Sequence, residues 1–155
     1  MGSEMCIRDR FGRTYTYTTA LPPHVAATSL AAVNIIAQQP SLQTKLNENL
    51  QHFKTGLSQQ APQLAGRLMP SDTPIQPLLI GNEQTALAAS SFLQQQGILV
   101  LAIRPPTVPV GSSRLRFTIT AAHEPFNIDH LIDVLASEAM ESVMAQSAVP
   151  NTSHN

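Results

Sequence analysis

The sequence has 155 residues, 43% of them hydrophobic, enough for one domain with a packed core and too short for two comfortable ones. Charged residues make up only 12%, against about 25% in ordinary soluble domains, and the formal net charge of −1 leaves no electrostatic footprint for nucleic acid or a membrane surface. No apolar run reaches the roughly 18 residues that a bilayer span needs, and the single cysteine, Cys6, excludes an internal disulfide and a cysteine-built metal site.

In chain order, the first ten residues, MGSEMCIRDR, resemble nothing at the start of a fold and are set aside as a non-native leader. They carry no charged region followed by an apolar core, so a reducing, cytoplasmic setting is expected. YTYTTALPP (15–23) reads as an extended stretch halted by two prolines, either of which suits the first turn of a helix. HVAATSLAAVNIIAQQP (24–40) follows as a helix, with Val25, Leu30, Val33, Ile36 and Ala37 compatible with one face and Pro40 ending it. Ser41 is a natural cap for a second helix, in which Leu42, Leu46, Leu50, Phe53 and Leu57 recur at helical spacing.

Residues 56–74 read as a loop-rich connection, and PIQPLLIG (74–81) as a short strand whose Pro77 argues for a sheet edge or a bulge. EQTALAASSFLQQQG (83–97) is a helix closed by Gly97. ILVLAI (98–103) is fully apolar and reads as the best-buried strand in the chain. SRLRFTIT (113–120) alternates strictly, with Leu115, Phe117 and Ile119 to one side and Arg114, Arg116, Thr118 and Thr120 to the other. A last helix begins near Asn127, and no pattern is legible after Val143. This order predicts an α+β two-layer sandwich: a small antiparallel-type sheet with helices on one face.

Three arginines are the residues with chemistry to offer. Arg104 precedes Pro105 and Pro106, which stiffen the chain and suit a guanidinium mounted to read a carboxylate or phosphate. Sequence alone leaves it open between that role and an ordinary surface arginine beside a turn. Arg114 and Arg116 stand two apart on one strand face, about 6.5–7 Å along the chain, facing either water or a polar site. PTVP (106–109) also fits a PxxP ligand, although such ligands work as exposed extended segments. His24, His52, His123 and His130 share no metal-ligand spacing, Ser112 and Ser113 have no visible acid or base partner, and Lys45 and Lys54 read as solvated side chains.

TYTTALPP, TPIQPLLIG, GILVLAIRPPTVPVGSSRLRFTITAAH and NIDHLIDVL occur here in one order, and on them the chain resembles the C-terminal part of the α-oxoamine synthases. These are pyridoxal-phosphate enzymes of the aspartate aminotransferase fold type. The resemblance runs from about Phe11 to Ala136, and the form AIRPPTVP points to the biotin-pathway branch. It implies an acyltransferase that condenses an amino acid, alanine in that pathway, with a pimeloyl thioester, loses carbon dioxide and gives 8-amino-7-oxononanoate. The cofactor serves as electron sink, and the carrier is coenzyme A or acyl carrier protein.

Residue by residue, the resemblance implies substrate binding by Arg116, which matches the arginine that holds the amino-acid carboxylate. Arg104 matches an arginine of the substrate-binding turn, and Thr107 is a further candidate there. Thr19 and Thr18 match a segment that reaches across a homodimer to the cofactor phosphate. No catalytic or metal-binding residue is expected, because the Schiff-base lysine belongs upstream and neither Lys45 nor Lys54 fits its motif. The resemblance also divides the chain into a leader (1–10), the edge of the large domain with its linking helix (11–40), the small domain (41–140) and a disordered tail (141–155). It implies a C-terminal fragment, inactive alone. Alternatives are a sister synthase of the glycine C-acetyltransferase or aminolevulinate synthase type, and a non-catalytic anion-binding or dimerisation module.

Overall fold

The computed structural model describes residues 22–146, and the chain divides into two compact units, Met1–Pro40 and Ser41–Asn155. In the first unit, helix α1 (Pro23–Gln38) carries Pro23 at its first helical position, where the missing N–H costs nothing. None of its residues is buried, and Leu30, Val33, Ile35 and Ile36 are all exposed.

From Ser41 on, the second unit contains the rest of α2 (Pro40–Gln60) and the one-turn α3 (Pro62–Ala65). Pro40 ends nothing: it stands inside the first turn of α2, and the break between α1 and α2 falls at Gln39. Leu50, Phe53 and Leu57 are buried as the periodicity predicts, whereas Leu42 lies outside the core. β1 (Ile75–Gly81) then leads into α4 (Glu83–Gln95), β2 (Leu101–Ile103), β3 (Ser113–Thr118), α5 (Pro125–Leu135) and α6 (Glu138–Gln146).

The sheet order is β1-β3-β2, with both pairings antiparallel. β3 therefore lies in the centre, and the alternation read from its sequence sorts its two faces. Ser113, Leu115 and Phe117 are buried, while Arg116 and Thr118 are exposed and Arg114 half-buried. Leu78 joins Leu115 and Phe117 on the inward face, against Phe53 and Leu57 of α2, Ala89 and Leu93 of α4, and Ile128, Ile132 and Leu135 of α5. Phe53 and Phe117 meet with ring centroids 5.6 Å apart, a tilted contact within the favourable range for aromatic pairs. The two-layer α+β arrangement holds, with all the packed helices on one face.

Pro77 sits on an edge strand, and a register shift follows between Leu79 and Gly81, so both consequences expected of a strand proline appear. Its carbonyl accepts from Met69 N, on the side away from β3. Carbonyl and amide of one strand residue point the same way, so the donor that proline lacks would have faced outward. The ladder to β3 loses nothing.

Three expectations are corrected. The run 98–103 is not a buried strand. Only Leu101–Ile103 is β-structure, it forms a sheet edge, and Leu99 and Leu101 are 80% and 52% exposed while Val100 is buried. An unbroken apolar run fits a strand buried on both faces, but here one face of the sheet has no covering layer among the described residues. The connection from 56 is helical through Gln60 and again at Pro62–Ala65. The segment expected as a tail from 141 begins inside α6, where Met140 is fully buried and Val143 and Met144 pack against the core. Spacings of three and four among Met140, Val143 and Met144 are the helical signal, diluted by Glu, Ser and Ala.

Polar ties fix α2 to α5 and to the turn before it. Asn49 Nδ2 donates to the carbonyls of Thr120 (3.0 Å) and His123 (2.9 Å). Lys45 Nζ pairs with Glu124 at 2.8 Å, and His52 Nε2 with Asp129 at 2.5 Å. Glu124 caps α5, which begins at Pro125, two residues before the expected start, and forms a capping box with Asn127.

Candidate functional site

The outward face of the sheet carries the candidate residues. Arg116 lies opposite Pro77 on β1 and Leu101 on β2, and Arg114 opposite Leu79 and Ile103. Two guanidiniums on the central strand are thus bordered on both sides by apolar side chains. These cross-strand side chains offer no hydrogen-bonding groups, so each guanidinium must find its partners elsewhere, in an adjoining segment or in water or a ligand.

The structure gives the three arginines different circumstances. Arg114 Nε donates to its own turn, at the Ser112 carbonyl (3.1 Å), and Nη1 to Met69 Sδ at 3.4 Å. It stitches β3 to the 67–69 segment. Arg104 Nη1 donates to Glu83 Oε1 at 2.8 Å. Arg116 is exposed and makes no hydrogen bond or ion pair among the described residues. The strand that points it outward leaves it free.

Arg104 follows β2 directly, and its carbonyl accepts from Thr107 N at 3.0 Å, closing the proline turn that the sequence predicts. Thr107 is exposed on that turn. The guanidinium does not stand free over the sheet: it is tied to the first turn of α4, the helix that covers the inward face. Glu83 was not among the residues singled out from sequence, since nothing links positions 21 apart before the fold is known. Asn49 was missed too. It reads as one more polar residue on an amphipathic helix, although it is buried. Thr18 and Thr19 lie outside the described residues.

The histidines are engaged separately. His52 pairs with Asp129, His123 Nδ1 accepts from Thr120 N, and His130 Nε2 meets the Gln96 carbonyl. Among the described residues, no group of three or more His, Cys, Asp or Glu side chains could hold a metal ion. The two lysines are occupied as well: Lys45 on Glu124, and Lys54 on the Ser71 carbonyl at 2.7 Å. No described helix is long and apolar enough to cross a membrane.

The second unit is thus an antiparallel three-stranded sheet with its packed helices on one face and two arginines on the other. Residues 7–135 match the model of the aminotransferase class I and II family. The chain belongs to that family, whose cofactor is pyridoxal phosphate. It is 46% identical to the 8-amino-7-oxononanoate synthase of Cellvibrio japonicus over 143 residues, 91% of this chain and 35% of that protein. To the synthase of Serratia proteamaculans it is 48% identical over 126 residues, 81% of this chain and 32% of that protein. The chain thus spans about a third of the length of the curated relatives it matches.

Among solved structures, serine palmitoyltransferase from S. paucimobilis with a bound PLP–myriocin aldimine superposes with a TM-score of 0.73 at 25% identity, covering 86% of this chain and 33% of that one. The 8-amino-7-oxononanoate synthase of Francisella tularensis superposes at 0.65 with 21% identity, over 92% of this chain and 40% of that one, a likeness of fold. Set against that cofactor, the described residues fit one end of the chemistry only. Arg116 is an unpartnered guanidinium, the donor type that matches a carboxylate, while both lysines are engaged, Lys45 with Glu124 and Lys54 with the Ser71 carbonyl.

Proposed function

We propose that this chain supplies the substrate-reading C-terminal part of an α-oxoamine synthase that condenses alanine with a pimeloyl thioester, with loss of carbon dioxide, to give 8-amino-7-oxononanoate for biotin synthesis. The observation that carries the reading is Arg116, an unpartnered guanidinium on the central strand, flanked across the sheet by Pro77 and Leu101. The names of the relatives at 46% and 48% identity support the choice of reaction.

Arg116 binds the amino-acid carboxylate through charge-assisted hydrogen bonds, for which the planar guanidinium is the matched donor. The strand alternation that buries Leu115 and Phe117 fixes its direction, so little ordering is needed on binding. Arg104, on the proline turn with Thr107, takes the carboxylate at the far end of the acyl chain. Leu101 and Ile103 border the route between them and exclude water. Pyridoxal phosphate, when bound, supplies the electron sink of this chemistry. Thr19 and Thr18 contact its phosphate across a homodimer, and the Schiff-base lysine belongs to residues outside this sequence. The 155-residue chain alone is inactive, and the enzyme is cytoplasmic.

The test is an assay of the full-length gene product with alanine and a panel of acyl thioesters. Product formation and carbon dioxide release with pimeloyl-CoA or pimeloyl-acyl carrier protein is the expected result. A preference for acetyl-CoA or succinyl-CoA would reassign the chain to a sister synthase, and the absence of any condensation would leave a non-catalytic module.

A further inference from the structure

The two arginines assigned to anions are electrostatically unequal. Arg116 presents a bare positive charge, whereas Arg104 and Glu83 together are a neutral pair held at 2.8 Å. Both ends of that pair stand on fixed mounts. Glu83 is the first residue of α4, whose opening turn is set by Asn82 Oδ1 accepting from Gln84 N (2.8 Å) and Thr85 N (3.1 Å). Arg104 leaves a strand end into a turn closed by its own carbonyl and Thr107 N. Glu83 stands in the first turn of α4, where the helix dipole is complementary to a negative charge.

From this geometry we infer that Glu83 sets the strength and selectivity of anion recognition at Arg104, by neutralising the guanidinium that an incoming carboxylate would otherwise meet. Only Nη1 is used by Glu83, so the remaining N–H donors of Arg104 stay available. Hydrogen-bonding capacity is therefore retained while net attraction is reduced, and an anion must compete with a carboxylate already in place. The side chains are 51% and 38% exposed, so the pair is solvent-screened and exchangeable rather than locked. This inference rests on the reading of Arg104 as a carboxylate-binding residue and makes Glu83 a specificity-determining residue of the same site.

Glu83→Gln separates charge from shape, because the amide oxygen still accepts from Nη1 while the negative charge is gone. In the full-length holoenzyme, Glu83→Gln is expected to lower KM for the pimeloyl thioester by up to about fivefold, the equilibrium equivalent of an exposed ion pair. It leaves KM for alanine and kcat within about twofold. Glu83→Asp keeps the charge and stays at the wild-type KM. A pimeloyl thioester whose terminal carboxylate is methyl-esterified gains nothing from Glu83→Gln, and the same substitution has no effect on an Arg104→Gln background. An unchanged or raised KM in Glu83→Gln, or an equal gain for the methyl ester, overturns the role of Glu83 while Arg104→Gln still raises KM. If Arg104→Gln itself leaves KM unchanged, the reading of Arg104 falls instead.

Discussion

Asn49 and His123 stand 74 positions apart in the sequence and are joined by a 2.9 Å hydrogen bond from Asn49 Nδ2 to the His123 carbonyl, with a second from the same nitrogen to the carbonyl of Thr120. One buried amide on α2 thereby holds both ends of the turn that carries the chain from β3 into α5. Asn49→Leu removes both hydrogen bonds, leaving the His123 carbonyl without this donor and the Thr120 carbonyl with only the long bond from His123 N. The expected cost is about 1–3 kcal/mol, read by urea unfolding of the chain. Asn49→Asp presents oxygens to oxygens and is expected to be no better.

Arg114 and Arg116 share a strand face and make opposite predictions. Arg116→Gln touches no internal partner, so stability is expected to stay within about 0.5 kcal/mol. In the full-length enzyme it should lower kcat/KM for the amino acid by about tenfold to a hundredfold, the worth of hydrogen bonds to a charged group. Arg114→Gln breaks the contacts to Ser112 and Met69 and should lower the unfolding midpoint. Its amino-acid KM should remain that of the wild type. Steady-state kinetics beside denaturation curves decide between these patterns.

At Gly56, α2 packs directly against Ile132 of α5. A Cβ at this position would lie 2.5 Å from Ile132 Cδ1, and Ile132 is 1% exposed, so its side chain would have to shift within the core. Gly56→Ala gains about 0.5–1 kcal/mol of helix propensity but overpacks the core at a cost of about 1–3 kcal/mol, and a net loss is expected. Ile132→Val deletes the clashing methyl. The double variant should therefore be more stable than the sum of the singles by about 1 kcal/mol. Strict additivity would refute the clash.

The sequence holds only two lysines, and each has a partner on or near α2. Pyridoxal phosphate added to the 155-residue chain at equal concentration should accordingly give no saturating Schiff-base absorption band. A stoichiometric band near that of intact family members would place a functional lysine here after all.

What could be read in the sequence followed the periodicity. Leu115, Phe117 and the outward Arg116 were legible because a period of two assigns faces without any knowledge of neighbours. Leu50, Phe53 and Leu57 were legible for the corresponding reason at helical spacing. The error over Leu99 and Leu101 has a different origin. Hydrophobicity records that a residue is to be covered, and the covering surface need not lie in the same layer of the same unit. Glu83 and Asn49 were illegible because their meaning lies in distant partners, one 21 positions from Glu83 and two more than 70 from Asn49, and single positions carry no pattern. Met140 was hidden by the short, Glu- and Ser-diluted turn around it.

Pro77 has a consequence for how the sheet can grow. On the β1 side, the Leu68–Leu78 bridge occupies the margin, and at Pro77 there is no amide to offer a newcomer. Among the described residues, no strand pairs with the opposite margin, Leu101–Ile103, on the side turned away from β3, and Leu101 is exposed there. Lateral strand addition is thereby steered to one side. A proline on β1 and three residues of β2 give the sheet a direction, closed at one border and receptive at the other.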